Sequence, residues 1–103
     1  MILSTMDYIT GKELEQLGLV QGNVVQTKSI GKDIRAIGRT IVGGEIKQYT
    51  ELLKEARCTA TERMIQEAQT LGADAIVAVR YTTSDIMDSA SEVMAYGTAV
   101  KFV

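Results

Sequence analysis

From Gly38 to Cys58 the sequence reads GRTIVGGEIKQYTELLKEARC. Its first eight residues have nearly the spacing of a phosphate-cradling loop, G-x-x-x-x-G-K-[ST], entering a helix. Such a loop needs the lysine to reach the phosphates and the Ser/Thr hydroxyl to hold magnesium. Gly38 and Gly43 stand at the right separation, but Gly44 replaces the lysine and Glu45 replaces the hydroxyl residue. Glu45 also puts negative charge where the anion would sit. The pair Gly43-Gly44 therefore reads as a break between two helices, with Glu45 favourable at the positive start of the second. Gly43, Gly44 and Glu45 stay candidates for a ligand pocket or a subunit interface.

Cys58 is the only soft metal ligand, because the chain has one cysteine and no histidine. The missing histidine removes the commonest general base, nucleophile activator and transition-metal ligand. One thiolate cannot complete a tetrahedral site, although an oligomer could gather several copies. An inert thiol is the plainer reading. Arg57 and Glu67 fall on or beside the apolar side of the second helix, where a charge must be paired or reach an edge. They read as a structural ion pair or as the lining of a charged pocket, to which Tyr49 on the same side adds a hydroxyl.

Other charged groups read as solvated. Glu51, Glu55 and Glu62 share a helix face, and an oxygen-rich site for a hard cation is the sharper alternative. Asp85 and Asp88 are expected in a loop. Lys32, Arg35 and Arg39 form a basic stripe without the interleaved aromatics of a single-strand binder. No Ser/His/Asp or Cys/His set can be built, and no CxxC or HExxH occurs. The parts for ordinary hydrolysis are missing, so binding is expected ahead of catalysis.

The elements that would position these groups follow from periodicity. MILST reads as a short strand, and Leu17 to Lys28 as another, with Gly22-Asn23 marking a bulge or tight turn. Ile30, Ile34, Ile37 and Ile41 then recur at helical spacing, predicting a short helix over Lys32 to Val42. A long helix from Glu45 to Leu71 carries Ile46, Tyr49, Leu53, Ala56, Ala60, Met64, Ala68 and Leu71 on one side. Gly72 is its expected left-handed cap. ADAIVAVRYTT is a strand, SDIMDSAS a polar connection, and EVMAYGTAVKFV a final strand antiparallel to it.

The class is thus α+β, one antiparallel sheet with a short and a long helix on one face. Alternation puts Ile76 and Ala78 on one face of their strand and Val77, Val79 and Tyr81 on the other. The last strand divides Val93, Ala95 and Ala99 from Met94, Tyr96, Val100 and Phe102. Helices from so short a chain cover one face only, so a homo-oligomer is expected.

The bulk numbers set the remaining bounds. A chain of 103 residues, 46% hydrophobic but 5% aromatic, fits one domain with a core of aliphatic side chains. A net charge of −2 without long runs of one sign argues against nucleic-acid binding. No signal peptide and no apolar stretch near the ~20 residues of a membrane span can be seen, and a lone cysteine suits a reducing cytoplasm.

Along its whole length the chain resembles the YbjQ-like family of small bacterial and archaeal proteins. VGGEIKQYTELLKEAR (residues 42–57), LGADAIVAVRY (residues 71–81) and AYGTAVKF (residues 95–102) carry the resemblance. It implies a dodecin-like α+β subunit in a homopentameric ring. The family has no established activity and carries a heavy-metal-binding label. The expectation is a cytoplasmic, ring-forming binding module with a heavy-metal ion or small ligand at its subunit interfaces. The alternative is a scaffold oligomer that binds a protein partner.

Overall fold

The computed structural model describes residues 1–27, 47–87 and 90–103. Strand β1 covers Ile2–Leu3, β2 Leu14–Thr27, helix α1 Lys47–Thr70, β3 Ala75–Met87 and β4 Ala90–Phe102. They form one four-stranded sheet in the order β1-β3-β4-β2. β4 is antiparallel to both neighbours, but β1 pairs in parallel with β3 through Ile2 and Leu3. The sheet is therefore mixed, where the sequence pattern suggested an antiparallel one. One helix stands among the described residues, and the expected short helix over Lys32 to Val42 lies outside them.

Alanine spacing explains how α1 docks. Ala56, Ala60, Met64 and Ala68 recur every four residues and are buried against Val20, Ile76, Val79, Val93, Ala95 and Ala99. Three alanines in four positions let the helix backbone come close to the sheet. Gly22 completes the approach from the strand side. A Cβ there would collide with the Ala60 carbonyl oxygen and come within 2.5 Å of the Met64 nitrogen. Gly22 thus marks a close passage of backbones, and the expected bulge or turn does not occur there. The bulge of β2 lies between Gln16 and Gly18.

The helix ends as predicted. Gly72 has φ 75°, its N–H donates to Gln69 O at 3.0 Å, and the Ala73 N–H donates to Ala68 O at 3.1 Å. This is the paired-bond closure of a glycine cap, and Ala73 packs back onto the core as that motif requires.

β3 departs from simple alternation. Between Val77 and Arg80 it has one residue more than β4 opposite, with Ala78 at φ 54°. The extra residue moves Val79 onto the helix side with Ile76, while Val77 stays on the far side. The predicted grouping of Val77 with Val79 is thereby corrected. Gly97 faces the bulge, and a Cβ on it would sit 2.8 Å from Ile76 Cγ2. In β4 the predicted division holds for the core residues, with Val93, Ala95 and Ala99 toward α1 and Val100 and Phe102 in a second cluster.

That second cluster joins Ala75, Val77 and Val100 to Ile9, Leu14 and Phe102. The segment between β1 and β2 thus covers one end of the far face. It is tied to β3 by Ser4 N–H to Ile76 O, Ala78 N–H to Met6 O and Val79 N–H to Ser4 O, at 2.7–2.9 Å. At the other end, β3 and β4 run on as a hairpin. The predicted polar connection Ser84 to Ser91 is strand as far as Met87 and again from Ala90. Ser84 and Asp85 pair with Glu92 and Ser91 of β4, and the polar composition that suggested a loop goes with an exposed strand. Every residue from Arg80 to Met87 is exposed.

Candidate functional site

Helix α1 lies across β2 and β4 and only grazes β3. Where β3 runs clear of the helix, an open groove of about 610 Å³ forms, lined by Lys54, Arg57, Cys58, Thr61, Glu62 and Tyr81. The helix supplies five of these residues from the flank of its buried alanine row. The bulge at Ala78 sets the phase that turns Tyr81 toward α1.

One hydrogen-bond chain orders the groove. Thr61 Oγ1 donates to the Arg57 carbonyl at 2.6 Å and lies 2.8 Å from Tyr81 Oη. A hydroxyl has a single hydrogen, and that of Thr61 is spent on the helix backbone. Tyr81 must therefore donate to Thr61, leaving its own lone pairs toward the groove. Lys54 and Arg57, three residues apart on one helix face, add two cations, and Glu62 one carboxylate. The groove combines an aromatic wall, a hydroxyl acceptor, two cations and the free, exposed Cys58 thiol.

Three of the residues singled out from the sequence, Arg57, Cys58 and Glu62, are brought together here. Arg57 and Glu67 are both exposed, so neither lies on the buried row, and the expected pressure to pair a buried charge is absent. Cys58 is off the row, as its helical angle predicts. Tyr49 is in the first turn of α1 by its backbone, with its side chain outside the described residues, as are Gly43, Gly44, Glu45, Asp88 and the basic stripe. Asp85 is on β3 and not in a loop. Lys54, Thr61 and Tyr81 were missed. Thr61 and Tyr81 are 20 residues apart on different elements, and no local pattern links them.

The donor set can be tested against a heavy-metal ion. Among the described residues no three His, Cys, Asp or Glu side chains converge. Cys58 has Glu62 one turn away but stands beside Arg57 and Lys54, whose charge opposes a cation. The described residues of a single subunit do not fit such an ion. No helix among them is long and apolar enough to cross a membrane.

Comparison with known proteins agrees with this topology. A family model named YbjQ and described as "Putative heavy-metal-binding" matches residues 1–103. A UPF0145 protein of Clostridium novyi (strain NT) is 52% identical over 103 residues, covering all of both chains. One from Pseudothermotoga lettingae is 57% identical over 102 residues, 98% of this chain and 96% of the other. A crystal structure of a DUF74-family protein of unknown function from Pediococcus pentosaceus ATCC 25745 superposes with a TM-score of 0.66. That match covers 100% of this chain and 98% of the other at 17% identity, and it shows the fold alone. With the model matched from end to end and such relatives at full length, the chain belongs to the YbjQ (UPF0145) family, whose function is unknown.

Proposed function

We propose that the chain is the subunit of a homo-oligomeric binding module whose small ligand occupies the groove between α1 and β3, close to a subunit boundary. The observation that carries this reading is the position of Tyr81. Its ring walls the groove, and it lies in the stretch of β3 from Arg80 to Met87 whose residues are all exposed. A ligand seated against Tyr81 would be completed by whatever packs on that stretch.

The groove chemistry selects the ligand class. Lys54 and Arg57 would hold an anionic group, Tyr81 would stack on an apolar or aromatic body, and the Tyr81 oxygen would accept one hydrogen bond. A small organic anion fits these three together. A heavy-metal ion, as the family description has it, would need Cys58 thiolates gathered from several subunits. A pentameric ring in the cytoplasm is the setting that the resemblance implies.

The test is native mass spectrometry of protein isolated from its own host. The expected result is one oligomeric mass carrying a small adduct that is lost in the Lys54→Ala/Arg57→Ala variant. Metal content is measured in parallel on the natural chain and on Cys58→Ser, where an unchanged content removes Cys58 as a ligand. A monomer overturns the reading. So does an oligomer without an adduct that co-purifies with a stoichiometric protein partner, which is the scaffold outcome.

A further inference from the structure

We infer that the ligand of the groove is a zwitterion, an α-amino acid with an apolar or aromatic side chain. Its carboxylate is held by Lys54 and Arg57, and its ammonium by Glu62 and the Tyr81 oxygen. The inference rests on the groove reading above and narrows its organic anion to one class.

Glu62 is the group that a plain anion leaves unexplained. Its carboxylate shares the groove wall with Lys54 and Arg57, where it would repel a ligand that carries negative charge alone. Nor does it serve as a counterion within its own helix. The residues three and four positions away are Cys58, Thr59, Ile65 and Gln66, none of them basic. Arg63, the nearest cation in sequence, donates instead to the Asn23 carbonyl on β2. Arg57 is in the converse position, since Leu53, Lys54, Ala60 and Thr61 offer it no carboxylate. Opposite charges thus line one groove, and neither is neutralised along the helix.

Their placement has a direction. At about 1.5 Å of rise per residue, Arg57 and Glu62 are roughly 7.5 Å apart along the helix axis, with Lys54 beyond Arg57. Thr61 holds Tyr81 Oη at 2.8 Å, so the phenol oxygen lies at the level of Glu62. One end of the groove is therefore cationic, and the other carries two acceptors. The Tyr81 hydrogen is committed to Thr61, whose own hydrogen goes to the Arg57 carbonyl. A primary ammonium has three N–H donors and no acceptor, so it satisfies both Glu62 and Tyr81 Oη, where a hydroxyl with one hydrogen satisfies one. The apolar side chain of the ligand then lies against the Tyr81 ring.

Isothermal titration calorimetry at fixed ionic strength tests this with matched probes. L-phenylalanine and L-leucine are each compared with the same skeleton lacking the amino group, 3-phenylpropanoate and 4-methylpentanoate. The charged groups are exposed, so the ammonium is expected to improve affinity by about fivefold. Glu62→Gln should remove that advantage without weakening the two deaminated acids, and its circular dichroism spectrum should match that of the natural chain. Lys54→Ala/Arg57→Ala should weaken all four probes. Bound L-phenylalanine should also slow alkylation of Cys58, which lines the groove, by iodoacetamide. Amino acids bound no more tightly than their deaminated counterparts, with all four probes weakened in the double variant, overturn the zwitterion and leave the organic-anion reading standing. An advantage that survives Glu62→Gln overturns the inference in the same way. Binding that leaves Cys58 alkylation unchanged, or no binding of any of the four to the natural chain, overturns both.

Discussion

Gly22→Ala tests whether the close approach of α1 to β2 organises the core. The added methyl would stand 2.5 Å from Met64 N, 2.9 Å from Arg63 Cβ and nearer still to Ala60 O, where ordinary contact begins at 3.4 Å. Two of these obstacles are helix backbone, which no rotamer change can move aside. The helix would have to withdraw by about 1 Å, loosening the buried row Ala56, Ala60, Met64 and Ala68 along its length. Overpacking of a well-packed core costs about 1–3 kcal/mol, and rigid obstacles place this case near the upper end, at ~3 kcal/mol. At roughly 4–8 °C per kcal/mol for a domain of this size, the melting temperature should fall by about 12–24 °C. Urea and thermal denaturation at one fixed protein concentration measure it, since oligomerisation makes the midpoint concentration-dependent. Gln66→Ala, on α1 but exposed, is the control and should stay within about 0.5 kcal/mol. A loss below about 1 kcal/mol for Gly22→Ala would refute the reasoning, because it would mean that α1 does not seat its backbone on the strand.

Other substitutions probe neighbouring parts of the same account. Met64→Ala removes the largest fully buried side chain under α1 and should cost about 2–5 kcal/mol in urea denaturation. Ala78→Gly relieves a left-handed backbone angle at the β3 bulge and should be neutral or stabilise by up to about 1 kcal/mol, read from the melting temperature. Gly72→Ala forces a side chain into the left-handed cap of α1, where space is open but φ is 75°, and should cost about 1–2 kcal/mol. Tyr81→Phe keeps the groove wall and loses the bond to Thr61, so stability should change by less than about 1 kcal/mol while affinity for an organic anion falls.

Much of the architecture was legible in the residues because it rests on local rules. The four-residue spacing of Ala56, Ala60, Met64 and Ala68 marks a helix with a narrow, small-residue face, and Gly72 after it can take the angle that closes a helix. The two-sided pattern of the last strand predicts a sheet with apolar groups on both faces, as β4 has. Composition alone excluded histidine chemistry and left a single thiol. What tertiary structure decided turns on long-range pairing. Whether Gly22 is a turn or a backbone crossing depends on a helix some 40 residues away in sequence. One extra residue at Ala78 reverses which side chains of β3 face α1, and alternation cannot foresee it. Polar residues from Ser84 onward look like a loop until β4 is there to bond them. The groove of Lys54, Arg57, Cys58 and Tyr81 exists because β3 outruns the helix, a relation between two elements that neither segment encodes by itself.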